Sequence, residues 1–338
     1  MDNILAHAVK ETILLGHAES EKGRFHVGMT GTPNYIPRIG VLMWSILKHN
    51  PDMRFSFHIL VNQLLEEEKK KLEELIQQIP CLIYVHIVDD NAFQMIKSVK
   101  YSSVFFYRFM LPDIIGELSD RVLYVDGDMI CRGSIYKLMN MDFQGKLACV
   151  TTDGYGQKAA ERLGTERYFN SGMMLINIDQ WKQLHMFERV ISFSLEAAKH
   201  LDAHGRHMEW HGADYNDQNV LNILMDKNVR FVDKKYNFLY VLTLSNPLKK
   251  RIRHEDFRKG IILHFAGRVK PWHSWVQYLP VVQEYSQWQR ESPWKDVAPQ
   301  EPKSYQDIKQ VIRYERLKGH WGRQIRWYLK YFRVKYGF

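Results

Sequence analysis

Short apolar runs rich in Val, Ile, Tyr and Phe recur along the chain, each separated from the next by a longer stretch. Runs over 24–29, 55–61, 82–88, 121–126, 146–150, 173–178, 229–232 and 261–265 are long enough for strands and too short for stable helices. Between two of them, Leu65, Leu72, Leu75, Ile76 and Ile79 mark one face of an otherwise charged helix. Apolar strands alternating with amphipathic helices need cover on both faces. The pattern therefore predicts an α/β fold built on a twisted, largely parallel sheet. Ligands of such sheets gather beyond the carboxyl ends of the strands.

The polar residues that follow those strands carry the chemistry. Arg121-Val-Leu-Tyr-Val-Asp126-Gly127-Asp128-Met-Ile-Cys131 delivers two carboxylates from one strand end. Residues i and i+2 share a face, so Asp126 and Asp128 can aim at one point. Two carboxylates held together repel unless a cation neutralises them, and Gly127 leaves the backbone open to a ligand. In Ile261-Ile-Leu-His264-Phe-Ala-Gly267-Arg-Val-Lys270-Pro-Trp272, a second strand ends in an imidazole suited to manganese-like metals. Six residues on, Lys270 is a compact cation able to neutralise phosphate oxygens. Tyr168-Phe-Asn170-Ser-Gly-Met-Met-Leu-Ile-Asn177 leads small polar residues into a strand. In Gly212-Ala-Asp-Tyr-Asn-Asp217-Gln218-Asn-Val-Leu-Asn222 a helix opens at Asp217 and Gln218. Asp is also a favoured helix cap, which gives Asp217 a purely structural reading as well.

Taken in order, these motifs resemble glycosyltransferase family eight. Within it the chain is similar to the bacterial enzymes that add glucose or galactose to the outer core of lipopolysaccharide. The likeness runs from about residue 25 to 275, with a weaker echo at Glu291-Ser-Pro-Trp-Lys295. It implies a GT-A type fold, a Rossmann-like mixed sheet with helices on both faces. It further implies retaining, metal-dependent transfer of a hexose from a UDP-sugar to a lipid-linked core acceptor. Asp126, Asp128 and His264 match the metal ligands, for Mn2+ before Mg2+. Lys270 matches the lysine that steadies the departing diphosphate, with backbone contact from Gly267. Arg108 matches an arginine near the donor sugar and nucleotide, Asp153 and Asn170 match residues around the hexose, and Asn34 and Tyr35 match the uridine-contacting pair. Asp217 and Gln218 match the pair beside the anomeric carbon. Gln218 would shield the face opposite a same-face attack, and Asp217 is the nearest carboxylate for a covalent double displacement. One departure is Thr32, where the family usually carries an acid; its hydroxyl can still hydrogen-bond a base. A nucleotidyltransferase, or a non-catalytic sugar- or membrane-binding relative, would share parts of this pattern.

At 338 residues and 45% hydrophobic, the chain can bury one large core plus an appendage. Cys81, Cys131 and Cys149 are odd in number and widely spaced, which predicts neither a disulfide framework nor a zinc site and fits a reducing cytoplasm. No stretch approaches a membrane span, and His7 and Glu11 interrupt any signal-peptide core. Charge is unevenly spread: residues 303–338 hold ten Lys and Arg against Asp307 and Glu315, hence eight of the nine net positive charges. After Gly319, bases interleave with aromatics, and Ile325, Tyr328, Phe332 and Lys335 fall at helical spacing. That composition predicts an interfacial helix on an anionic membrane, against single-stranded nucleic acid, or a solvated tail or a helix folded back on the domain. The expected layout is an N-terminal extension (1–22), a catalytic domain (23–292) and a membrane-associating segment (293–338) hinged at the Pro-rich 293–302 stretch. This places the protein peripherally on the cytoplasmic face of the inner membrane, with no nucleic-acid partner. His200, His204, His207 and His211 are spaced by four, three and four. The glycines beside them argue for a loop near the acceptor rather than a second metal site.

Overall fold

The computed structural model describes residues 4–17, 21–96, 103–154, 156–198, 216–244 and 256–337. Its main sheet holds β1 (Val9–Leu15), β2 (Phe25–Thr30), β3 (Phe55–Val61), β4 (Leu82–Val88), β5 (Arg121–Val125), β7 (Ala148–Thr152), β8 (Phe169–Asn177) and β9 (Val229–Phe231) in the order 1-4-3-2-5-8-7-9. A second, three-stranded sheet joins β10 (Phe238–Leu239), β11 (Ile262–His264) and β6 (Met129–Cys131). The block 4-3-2-5 is parallel, as expected of apolar strands joined by helices. β8 runs antiparallel to both β5 and β7, so the sheet is mixed, as the resemblance implied, and less uniformly parallel than the strand pattern alone suggested.

The strand at the motif shows why both faces are covered. Val122 and Tyr124 join one apolar cluster and Leu123 and Val125 the other, as alternation along a strand requires. Helix Ile36–His49 and the small sheet lie in the first cluster with Leu123. Helices Val104–Ile115, Met186–Ala198 and Asp217–Leu224 cover the opposite face. Three neighbouring strands also carry a buried polar row. His26 Nδ1 lies 3.0 Å from His58 Nε2, His58 Nδ1 lies 3.1 Å from His86 Nε2, and His86 Nδ1 lies 2.9 Å from the Thr12 hydroxyl.

Two boundaries differ from the sequence reading. Residues 9–15, expected in an extension, form the edge strand β1 paired antiparallel with β4. Lys10, Glu11 and Thr12 face outward there, which removes the apolar signature of a buried strand. The 293–302 stretch is packed rather than hinged. Trp294 is fully buried, its indole N–H donates to Glu68 at 2.7 Å, and a Cβ on Gly40 would lie 2.3 Å from its ring. Helix Tyr305–Leu317 then buries Ile308, Val311, Ile312 and Tyr314. Its N-terminus is closed by a reciprocal Ser304–Asp307 capping box. The folded-back alternative thus holds for the first half of the tail. After Gly319, in the left-handed region at φ +73°, the chain turns into the last helix, Trp321–Tyr336, where only Gln324 is buried. No described helix is long and apolar enough to cross a membrane.

Candidate active site

The two sheets meet where the motif residues lie. Asp126 follows β5 and extends its ladder, its N–H donating to Gly172 O of β8 at 2.8 Å. Asp128 leads into β6, and its carbonyl accepts from Phe265 N at 3.0 Å, just beyond β11. His264 is the last residue of β11, so the imidazole comes from the small sheet and the carboxylates from the crossing between the two. One ligand atom from each of Asp126, Asp128 and His264 falls within 4.8 Å of the others. A Cβ on Gly172 would sit 2.5 Å from the His264 ring and 2.8 Å from Asp126 Oδ2, so only glycine keeps this point open.

The donor set fits a divalent cation. Asp128 Oδ1 is buried without a hydrogen-bond partner, 3.3 Å from His264 Nε2, with Asp126 Oδ2 at 4.0 Å from the same nitrogen. Across the ring, Nδ1 meets Asn237 Oδ1 at 2.9 Å, an acceptor that places a proton on Nδ1 and turns Nε2 toward the carboxylates, where it can bind a cation. Two carboxylates and a neutral imidazole make a hard-to-borderline set. Burial raises the Asp126 pKa, against the pull of Arg108. For Asp128 burial acts the same way, but His264 and Lys270 outweigh it and hold the carboxyl below its usual range.

Cations frame these acids. Lys270 Nζ bonds Asp128 Oδ2 and donates to Phe265 O at 3.0 Å. Its segment is fixed by Val269 N on the Thr243 hydroxyl and by Trp272, which lies under Arg38. Gly267, at φ +87°, makes the turn before it. Arg108 Nη2 reaches Asp217 Oδ2 at 2.8 Å and Asp126 Oδ1 at 3.4 Å, while its guanidinium stacks on Tyr124. Asn216, not Asp217, caps helix Asp217–Leu224, accepting from Asn219 N. This frees Asp217 from the capping role the sequence allowed it. Gln218 is held at both ends of its amide: Oε1 accepts from Asn170 Nδ2 at 3.1 Å and Ser171 N at 3.2 Å, and Nε2 donates to Asp153 at 3.1 Å. Asn170 Oδ1 accepts in turn from Asn237 Nδ2 at 2.9 Å, joining the Gln218 network to the His264 ring.

Thr32, Tyr35, Arg108, Asp126, Gly127 and Asp128 line a cavity of about 410 Å³. A Cβ on Gly127 would lie 3.0 Å from the Tyr35 ring, so the glycine lets that tyrosine close over the motif. Asn34 sits on the exposed turn Pro33–Tyr35 and is not part of the lining. The histidines from 200 to 211 lie outside the described residues.

Residues 26–276 match glycosyl transferase family 8, and residues 279–335 match the family 8 C-terminal region. The chain belongs to glycosyl transferase family 8. Among family 8 relatives, the lipopolysaccharide 1,3-galactosyltransferase of Salmonella typhimurium is 29% identical, over 97% of this chain and 96% of its own length. The lipopolysaccharide glucosyltransferase WaaO of Escherichia coli is also 29% identical, covering 88% of this chain and 87% of that protein. The crystal structure of the galactosyltransferase LgtC, in complex with donor and acceptor sugar analogs, superposes with a TM-score of 0.62 at 21% identity, over 82% of this chain and 98% of that one. The fold is accordingly of the GT-A type.

Two residues of this cluster carried no signal of their own in the sequence. Asn237 ends a short 3₁₀ turn far from any motif, and its role comes only from the ring it meets in space. Gly172 lay within a quoted motif, but its importance depends on a strand crossing visible only in the fold.

Proposed function

We propose that the chain transfers a hexose, glucose or galactose, from a UDP-sugar to a sugar of a lipid-linked lipopolysaccharide core, with retention at the anomeric carbon. What carries the reading is the meeting of Asp126, Asp128 and His264 with Lys270 at one end of the cleft. The near full-length likeness to lipopolysaccharide hexosyltransferases supports that substrate class. Asp126, Asp128 and His264 would hold a divalent cation, Mn2+ ahead of Mg2+. Bound there, it would supply charge neutralisation for the departing diphosphate.

The chain's own groups do the rest. Lys270 brings a second positive charge to the leaving group, worth most as that charge grows. Gly267 offers its backbone to the diphosphate, and Thr32 and Tyr35 receive the uridine, with Asn34 at the rim beside them. Arg108 binds between nucleotide and sugar, with Asp153 and Asn170 at the hexose hydroxyls. Asp217 already accepts the Arg108 guanidinium at 2.8 Å, and a carboxylate so paired is a poor nucleophile. Gln218 presents a neutral amide that cannot turn, because both of its ends are bonded. These two restraints favour same-face attack, in which the acceptor hydroxyl passes its proton to the leaving phosphate oxygen. The last helix would rest on the anionic cytoplasmic leaflet, where a lipid-linked acceptor is presented.

A donor panel tests the reading. UDP release from UDP-glucose and UDP-galactose is followed with a truncated lipopolysaccharide core, with and without Mn2+. One donor should turn over only with metal present, and much faster with the acceptor than by hydrolysis alone. Release of pyrophosphate instead of UDP would make the chain a nucleotidyltransferase, and no turnover on any donor would leave a binding protein.

A further inference from the structure

The last two helices enclose a cleft that none of the proposed chemistry uses. It has a volume of about 200 Å³ and is lined by Lys309, Ile312, Arg313, Arg316, Tyr328 and Tyr331. That is below the roughly 300–1,000 Å³ of ordinary small-molecule sites. Its three cations stand at i, i+4 and i+7 of helix Tyr305–Leu317 and so share one face. Arg313 is oriented by its bond to Leu244 O, and Lys309 and Arg316 are exposed. The facing wall is aromatic, with Tyr331 packed edge-on against Tyr305 at 6.2 Å.

Tyr328 belongs both to this wall and to the outer face of the last helix. On that face Trp321, Ile325, Leu329, Phe332 and Tyr336 follow one another at helical spacing, with Trp321 at 66%, Ile325 at 63% and Leu329 at 68% exposure. The exposed stripe therefore differs from the one read off the sequence: Leu329 belongs to it and Lys335 lies off to its side. An apolar stripe beside a small cationic notch matches an amphiphile whose anionic head is small and whose tails are long.

We infer that the cleft receives the phosphate headgroup of one anionic membrane phospholipid, with its acyl chains lying along the Trp321–Leu329 stripe. Lys309, Arg313 and Arg316 take the phosphate oxygens, and the Tyr328 and Tyr331 hydroxyls meet the ester and glycerol oxygens. The inference rests on the membrane association proposed above and names the chemistry that gives it lipid selectivity.

The test uses the full chain and phosphatidylcholine vesicles carrying phosphatidylglycerol. Lys309→Gln with Arg316→Gln removes two charges from the cleft, while Arg323→Gln with Lys330→Gln removes two from the other side of the last helix. Diffuse attraction is worth about fivefold in affinity per basic residue and predicts equal losses for the two pairs. The headgroup site predicts a loss of about 100-fold or more for the first pair and no more than the diffuse value, about 25-fold, for the second. Equal losses, or no loss from the cleft pair, would overturn it. A second measurement does not depend on vesicles. Dihexanoyl phosphatidylglycerol below its micelle concentration should raise the Tm of the intact chain and leave the cleft pair unchanged. An equal rise with inorganic phosphate would make the cleft a free-anion site and also overturn the proposal. If the intact chain fails to bind the vesicles at all, the membrane reading beneath it falls too, which separates the two failures.

Discussion

Asp128 holds both of its oxygens at the site, because one meets Lys270 and the other faces His264 Nε2 at 3.3 Å without a hydrogen-bond partner. Asp128→Ala or His264→Ala should lower metal-dependent turnover by on the order of 10³-fold while leaving the far-UV CD spectrum intact. Near-normal activity in Asp128→Ala, or in the presence of EDTA, would remove the metal mechanism. Lys270→Ala should lower kcat by about 10²-fold with a smaller rise in donor KM, since the charge it meets peaks in the transition state. A higher KM at unchanged kcat would reduce Lys270 to a ground-state contact. Asn237→Leu removes the acceptor that orients the imidazole, together with the donor to Asn170 Oδ1, so Mn2+ affinity should fall about 10–100-fold. A calorimetric metal titration reads this directly, and an unchanged isotherm would rule the residue out. The difference between these positions is also why some were legible in the sequence. Ligands at i and i+2 of a strand end announce themselves by spacing, whereas Asn237 has no spacing to anything it touches.

The strands that carry the site were legible because they are buried on both faces and read as continuous apolar runs. β1 was not, since one side of it faces solvent, and β6 and β10 are too short for any period to show. The reversal of β8 has no local signature at all: direction is set by how far the preceding chain travels. The histidine row across β2, β3 and β4 is likewise a product of register, as Gly28 pairs with His58 and Leu60 with His86. Burial holds His58 well below its ordinary value, with like neighbours on either side, and pushes His86 down to about 4. His26 is lowered by burial against the opposing pull of Glu21, which also takes hydrogen bonds from Ser56 and Tyr84. The folded chain therefore keeps these rings neutral while the unfolded chain protonates them near pH 6.5. Stability is fully present above that pH and is lost as the pH falls toward the depressed folded values. Between pH 7.5 and 5.5 the loss should be about 1 kcal/mol from His86, with His58 and His26 adding to it in the same direction. Urea midpoints at the two pH values measure it, and a flat profile would show that another group compensates.

At the scale of the whole molecule, the tail divides at Gly319, where the acids end and bases begin to interleave with aromatics. Residues 303–338 read as one basic segment, yet helix Tyr305–Leu317 lends Ile308, Val311, Ile312 and Tyr314 to the core, and the last helix buries only Gln324 and half-buries Trp327 and Tyr331. Two truncations should therefore behave oppositely. Ending the chain at Gly319 removes the apolar stripe and five bases but no fully buried apolar side chain. Such a protein should stay folded and keep metal-dependent hydrolysis of the sugar nucleotide. It should lose binding to anionic vesicles and activity on lipid-embedded acceptor. High salt should release the intact protein only partly, because aromatic burial is not screened as charge is. Ending the chain at Pro302 strips four buried side chains from the core at about 1.5–3 kcal/mol each, a sum comparable to the whole stability of a typical domain, about 5–15 kcal/mol. That protein should aggregate or unfold, and donor hydrolysis should vanish with it. Thermal melts and vesicle sedimentation on the two chains decide the matter. If the Gly319 truncation still sediments with vesicles as fully as the intact chain, the last helix is not the anchor. If it melts like the Pro302 truncation, the last helix is a structural brace, and its exposed stripe must be covered by something other than a membrane.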